Sequence, residues 1–332
     1  MSKPGLGFVL GKFMPPHQGH VYMCEFARNY CEKLVILVCS LPNEPIPGEL
    51  RYRWMKEMFP DCTVLHETRD LPQEPVGEDP EFWRIWGEVV HKACHKYNKY
   101  TPDVVFASEN YGHKLAESVG AQFVPVDINR TARNISGTAV RNDPFGNWDY
   151  IPQVVRPYFV KKVTLFGPES TGKSTLATEL GDYYQTMVVP EYGRTYTETF
   201  GPEVDAADLM NIVAGHQASV AAAKRQANKI LIEDTDPVMT AVWSDMLLGK
   251  RDPWFDSFQD HSDLYLLCDV DIPWEDDGTR YFKDEESRFM FFKYCEDELI
   301  KRKVNYCLIS GSRSARFIKA KWAIDRLMCG NN

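Results

Sequence analysis

Two kinds of apolar patterning alternate along the chain. Short, nearly unbroken runs of strand length occur at LGFVLG (6–11), KLVILVCS (33–40), CTVLHE (62–67), PDVVFASE (102–109) and AQFVPVD (121–127). Between them, apolar residues recur at helical spacing in HVYMCEFARNY (20–30), ELRYRWMKEMF (49–59), PEFWRIWGEVVHKACHKY (80–97) and YGHKLAESVG (111–120). Continuous apolar strands are those covered on both faces, so the alternation predicts a parallel sheet between two layers of helices. DPFGNWDYIPQVVRPYF (143–159), rich in Pro, Gly and aromatics, interrupts the pattern, and the domain boundary is placed near residue 155. A second series follows, with strands at 161–167, 186–191, 229–236, 264–271 and 304–311 and helices at 172–184 and 208–227. The fold class expected is α/β in two domains, 1–155 and 156–332, both parallel-sheet sandwiches. Trp54 and Trp322 fall in helical apolar stripes and are expected in the cores.

Composition narrows the function classes. The net charge is −9, and the halves split as 16 Lys+Arg against 19 Asp+Glu in 1–155 and 22 against 28 in the remainder. Neither half has the basic balance of an extended nucleic-acid footprint. No apolar run approaches the roughly 18 residues that argue a membrane span, and the N-terminus lacks a secretory layout. Nine cysteines with no C-x-x-C pair read as reduced, mostly buried thiols, so a cytoplasmic location is expected.

The second domain opens with GPESTGKS (167–174), a strand-to-helix loop fitting G-x-x-x-x-G-K-[ST]. Such a loop turns backbone N–H groups inward around phosphates. Gly167, Ser170, Thr171, Gly172 and Thr175 are its candidate cradle, Lys173 reaches the β/γ-phosphates, and the Ser174 hydroxyl can ligate Mg²⁺. KILIEDTD (229–236) ends an apolar strand in acids. Asp234 is the candidate second metal anchor, and Asp236 a group facing substrate; helix caps would use the same residues. After the second strand comes PEYGR (190–194), where Glu191 is a candidate general base, with Asp236 as rival. PWEDDGTRYFKDEESR (273–288) is charged and resembles a closing lid, with Arg280 able to reach a transferred phosphoryl group.

In the first domain, GKFMPPHQGH (11–20) joins a strand to a helix. The helix N-terminus offers free N–H groups and a positive dipole end. His17 and His20 add two imidazoles on the first turn, and Gly19 allows close approach of a phosphate. Gly11, Lys12 and Phe13 complete the loop. NISGTAVR (134–141) supplies Ser136 and Thr138 as donors and Arg141 as a clamp for the β/γ-phosphates. A cationic ring would need aromatic faces: Trp83 or Trp86 in the first domain, and Tyr192, Trp243 or Trp274, beside Arg194, in the second.

Gly-x-Phe-x-Pro-x-His-x-Gly-His followed by Ile-Ser-x-Thr-x-x-Arg resembles the nucleotidyltransferase superfamily. With GPESTGKS, EYGR, GH at 215–216, EDTD and PWEDDGTR, the chain resembles bifunctional NadR-type proteins over nearly its whole length. The resemblance implies a Rossmann-like nicotinamide mononucleotide (NMN) adenylyltransferase followed by a P-loop ribosylnicotinamide kinase. It implies ATP at two sites, Mg²⁺, and nicotinamide riboside, NMN and NAD as small-molecule partners. Some members carry an N-terminal helix-turn-helix domain; this chain begins at the transferase strand, so none is expected, nor operator binding. Homo-oligomerisation is left open. Two rival readings remain: a transferase–kinase of another cofactor pathway, and an adenylyltransferase whose P-loop domain is an ATP-binding sensor.

Overall fold

Both sheets are wholly parallel, and each is sandwiched between apolar layers. The computed structural model describes residues 3–76, 79–274, 281–282 and 284–330, which divide into two units, Met1–Arg156 and Pro157–Asn332. In the first unit β1 (Leu6–Gly11), α1 (Gln18–Tyr30), β2 (Lys33–Cys39), α2 (Gly48–Met58), β3 (Thr63–Glu67), α3 (Pro80–Cys94), β4 (Val104–Ala107), α4 (Tyr111–Val119), β5 (Gln122–Pro125) and α5 (Gly137–Asn142) alternate along the chain. The strand order is β3-β2-β1-β4-β5. β2 shows why its run is unbroken. Val35, Leu37 and Cys39 enter one core with Trp86, Val90 and Leu115, while Leu34, Ile36 and Val38 enter the other with Met23, Met55 and Phe106.

The second unit runs β6 (Lys161–Phe166), α6 (Lys173–Tyr184), β7 (Val188–Val189), α7 (Tyr192–Phe200), α8 (Ala206–Lys224), β8 (Ile230–Asp234), α9 (Pro237–Leu248), α10 (Pro253–Ser257), β9 (Leu264–Cys268), α11 (Glu285–Arg302), β10 (Tyr306–Ile309) and α12 (Arg313–Met328). Its order is β10-β9-β6-β8-β7. β6 is central, paired to β8 and β9, so its loop lies between the carboxyl ends of two neighbours.

Several elements depart from the sequence pattern. The helix expected over 20–30 starts two residues earlier, capped by His17. The strand expected over 186–191 contributes only Val188–Val189 to the ladder, because Pro190 has no N–H to donate and Glu191 already caps α7. α9 was not expected: most of its residues are buried, so no polar face betrays a helical period. Trp322 is corrected from core to surface. It is 56% exposed on α12, off the stripe of Ala320, Ala323 and Ile324, and carries the Arg326 guanidinium over its ring at 4.8 Å. Trp54 is buried. No disulfide forms among the described residues, and no described helix is long and apolar enough to cross a membrane.

One buried cation fastens the first sheet's loops. Arg51 of α2 is fully buried. Its Nε donates to Ile46 O at 3.0 Å, and its Nη1 donates to Cys39 O at 3.2 Å and to Lys12 O. Its Nη2 pairs with Glu44, whose other oxygen meets Lys12 Nζ at 3.2 Å. Burial alone would raise the Glu44 carboxyl; the Leu41 N–H and the Arg51 and Lys12 charges outweigh it and hold it below its ordinary value. The Arg51→Met variant leaves Glu44 without its buried partner. It is expected to destabilise the first unit by about 3 kcal/mol in urea unfolding. A loss under about 1 kcal/mol would mean the guanidinium is not what holds these loops.

Candidate active sites

The first site lies beyond the carboxyl ends of β1 and β4, where the strand order reverses, the usual ligand crevice of such sheets. A cavity of about 650 Å³ is lined there by the β1–α1 loop, α3 and the segment from Val126 to Arg141. Phe13 turns the loop at φ 48, with its ring over Gly11 and edge-on to His20 at 5.0 Å. His17 is the N-cap of α1, and the pairing is reciprocal. His17 Nδ1 accepts from the His20 N–H at 3.4 Å, and His20 Nδ1 accepts from the His17 N–H at 3.3 Å.

That capping box assigns the tautomer. Both Nδ1 atoms are acceptors, so each neutral ring carries its proton on Nε2. The rings stack at 3.7 Å between centroids, inclined by 22°. Burial, reinforced by the charge of Arg130, lowers His17 from 6.5 to about 4. Burial and the neighbouring His17 push His20 well below its ordinary value. The pair therefore presents two neutral donors at neutral pH. Gly19 fits closely beside them, since a Cβ there would sit 3.1 Å from the His17 ring.

The remaining expected residues gather at the same cavity. Lys12, Ser136, Thr138, Arg141, Trp83 and Trp86 all line it. Ser136 caps α5 by accepting from Ala139 N at 3.1 Å, which leaves its hydroxyl proton free to point outward. Arg141 is held by Met14 O and, at 3.1 Å, by Thr138 Oγ1. Trp86 packs in the core with its indole N–H on Pro72 O at 3.0 Å, whereas Trp83 is half-buried. Two further cations went unnoticed in the sequence. Arg130 and Arg133 also line the cavity, on a loop tied by Asp127, which accepts from Thr131 Oγ1 and the Ala132 and Arg133 N–H groups at 3.0–3.3 Å. The run NRTARN before ISGTAVR was the available signal.

In the second unit a cavity of about 530 Å³ follows β6. Ser170, Thr171, Gly172, Lys173, Ser174 and Thr175 line it, with Ser170 at φ 58 and Gly172 at φ 77. Gly167 does not line it. Its φ is 129, and a Cβ there would lie 2.7 Å from Cys268 O, so its role is close approach of the loop to β9. Lys173 is buried, its ammonium on Pro168 O at 2.7 Å. Glu169 accepts the N–H groups of Tyr281 at 3.1 Å and Phe282 at 2.6 Å.

The three candidate acids take different places. Asp234 lines the cavity, and its buried Oδ1 has no hydrogen-bond partner. An orphaned carboxylate oxygen beside a P-loop serine fits a divalent cation, as the sequence suggested for Ser174 and Asp234. Glu191 also lines the cavity, at the N-cap of α7 with no capping bond, and Arg194 Nε lies 3.9 Å away. Burial raises its carboxyl, against the opposing Lys173 charge. Asp236, expected to face substrate, is corrected: it does not line the cavity. It caps α9 through Met239 N at 3.1 Å, and Tyr265 donates to its other oxygen at 2.6 Å. Burial raises it to about 6.

The aromatic candidates divide likewise. Trp243 lines the cavity, stacked on Phe282 with ring centroids 5.9 Å apart. Arg194 lines it too, but Tyr192 and Trp274 do not. The Tyr192 ring occupies the space over Gly215, where a Cβ would meet it at 2.0 Å. The adjacent His216 is buried against Glu233 at 3.1 Å, so the GH pair is a packing feature between α7, α8 and β8. Arg280 lies outside the described residues.

Each of the two α/β units aims a helix N-terminus and cations into a cavity at its strand ends. A family model described as an AAA domain matches residues 162–316. The trifunctional NAD biosynthesis/regulator protein NadR of Escherichia coli (strain K12) is 28% identical, over 98% of this chain and 84% of its own length. NadR of Salmonella typhimurium (strain LT2) is 29% identical over 97% of the chain and 83% of its own. A crystal structure of a NadR protein in complex with NAD and AMP-PNP shares the fold, with TM-score 0.78, 24% identity and coverage of 99% of this chain and 97% of that one. Another, in complex with NR, has TM-score 0.77 at 24% identity, covering 98% and 96%. The chain is thus similar to NadR proteins across both of its units.

The histidine geometry carries a pH dependence. His17 titrates near 4 when folded and near 6.5 when unfolded. Between those values the unfolded chain binds a proton that the folded chain refuses. The contribution is therefore whole above 6.5 and lost as pH falls toward 4, by up to about 3 kcal/mol. The His17→Asn variant, which keeps a capping acceptor, should flatten the acid limb of a stability–pH profile relative to the unsubstituted chain. Superimposable profiles would refute the neutral buried imidazole.

Proposed function

We propose that the chain makes NAD in two ATP-dependent steps, phosphorylating nicotinamide riboside to the mononucleotide in the second unit and adenylylating that mononucleotide in the first. The observation that carries this reading is that each unit holds a phosphate cradle of a different kind, in a chain similar to NadR proteins along 98% of its length.

In the second unit the riboside 5′-hydroxyl oxygen bonds to the γ-phosphorus of ATP, and the bond to the β-phosphate bridge breaks to release ADP. Glu191 takes the hydroxyl proton; burial raises its carboxyl, which makes the ionised form a stronger base. Lys173 and the N–H groups of 170–174 hold the departing diphosphate. Ser174 and Asp234 would hold Mg²⁺, which neutralises charge on the β- and γ-phosphates when bound. Trp243 offers its face to the cationic pyridinium.

In the first unit the mononucleotide 5′-phosphate oxygen bonds to the α-phosphorus of a second ATP, and pyrophosphate leaves. No base is needed, because the nucleophile is already ionised. The two Nε2–H donors of His17 and His20, with Arg141, meet the charge that grows on the leaving group. Arg130 and Arg133 add cations around the same cavity, and Trp83 supplies a half-buried aromatic face.

The test is an end-point assay of the purified chain with nicotinamide riboside, ATP and Mg²⁺, read by chromatography. NAD should appear through transient mononucleotide. Acceptance of the mononucleotide but not the riboside would sink the kinase half. The His20→Ala variant should abolish NAD formation from the mononucleotide and leave riboside phosphorylation within about twofold. Parallel loss of both activities would contradict two separate sites. The Glu191→Gln variant should lower kinase kcat by about 10²-fold or more, while Asp236→Asn keeps most of it. The reverse ranking would return the base to Asp236.

A further inference from the structure

The P-loop is fastened by a residue that lies outside the cavity lining. Arg316, in the first turn of α12, is 5% exposed and does not line the cavity. Its Nη1 donates to the carbonyl of Thr171 at 3.0 Å, inside the P-loop. Its Nε donates to Gly311 O at 2.9 Å, and its Nη2 donates to Asp269 O at 3.0 Å and pairs with Asp271. The other oxygen of Asp271 accepts the Gly311 N–H at 2.6 Å. One guanidinium and one carboxylate thus join the loops that follow β6, β9 and β10.

Peptide geometry makes that contact consequential. In a trans peptide the C=O and the following N–H point in opposite directions. A Thr171 carbonyl held toward α12 therefore aims the Gly172 N–H the other way, on the side where Gly172 and Lys173 line the cavity. Thr171 is flanked by two residues at positive φ, Ser170 and Gly172, a pair of local conformations that a free loop would abandon readily. Ile272, one residue after Asp271, adds a packing contact: a Cβ at Gly172 would lie 3.5 Å from its Cδ1.

We propose that Arg316, locked by Asp271, is a positioning residue for nucleotide binding at the P-loop, acting by orienting the Thr171–Gly172 peptide. The inference rests on the P-loop binding a nucleotide triphosphate and does not depend on which acceptor is phosphorylated. Lysine cannot replace the arginine here, because a single ammonium cannot reach three carbonyls and a carboxylate in a fixed fork.

Hydrogen exchange of the full chain tests it, with AMP-PNP and Mg²⁺ as probe and the peptide covering 167–176 as readout. In the unsubstituted chain AMP-PNP should protect that peptide. In Arg316→Lys the concentration giving half protection should rise about tenfold, and in Asp271→Asn about threefold. Exchange of the β8 strand without nucleotide should be unchanged in both, which separates loosening of the loop from loss of fold. In steady state the KM for ATP in the kinase step should rise more than the KM for the acceptor, and adenylylation in the first unit should stay within about twofold. Half-protection at unaltered AMP-PNP concentration in both variants overturns the proposal. Should Arg316→Lys loosen β8 as well, Asp271→Asn decides, since it keeps the arginine and removes only the charge that locks it. If the unsubstituted chain fails to phosphorylate the riboside, the acceptor assignment falls, while the exchange experiment still judges the staple.

Discussion

A phosphate-binding loop must keep its N–H groups unspent while holding them still. Those two demands conflict, because a loop normally becomes rigid by spending its donors on its own carbonyls. Both units resolve the conflict on the carbonyl side of the chain. Arg51 takes the carbonyls of Lys12, Cys39 and Ile46 in the first unit, and Arg316 those of Thr171, Asp269 and Gly311 in the second. Each guanidinium is buried and balanced by one carboxylate, Glu44 or Asp271. Arginine suits the place because it offers five donors in a rigid plane and no acceptor. Parallel sheets create the need, since their carboxyl ends bring several loops together at one edge.

The histidine pair follows a related logic. Each ring uses Nδ1 on the other residue's backbone, so stacking, tautomer and helix start are one arrangement. Two imidazoles this close cannot both be charged without a countercharge, and the nearby Arg130 adds to the penalty. In the proposed transferase, an arriving polyphosphate would supply that countercharge. The proposed transferase would then strengthen its hold on the leaving group as charge accumulates there, which favours the transition state over the ground state.

In the second unit, placement rather than residue type sorts the acids. Asp234 ends β8 facing the cavity with an unpaired oxygen. Asp236, two residues on, is consumed by α9 and Tyr265. Glu191 caps a helix without bonding to it and remains available. EDTD therefore contains one residue suited to a metal and one that is a helix cap. Both readings were open on the sequence, and only the direction of each side chain separates them.

The alternating apolar runs, GKFMPPHQGH, ISGTAVR and GPESTGKS determined by themselves that this chain has two parallel α/β sheets with a glycine-bearing strand-to-helix loop after the first strand of each. Those features are local: a strand covered on both faces, a turn that needs glycine, and a helix start all lie within about ten residues of chain. The tertiary structure alone decided which acid faces the cavity, that Tyr192 packs on Gly215 instead of lining the site, that Trp322 is outside the core, and that Arg130 and Arg133 join the histidines. It alone showed Arg51 and Arg316 as staples, for their partners come from loops on neighbouring strands, in the second case 145 residues away. Periodicity reports which face a residue takes on its own element. What meets it there depends on which strands become neighbours, and that is settled only when the sheet assembles.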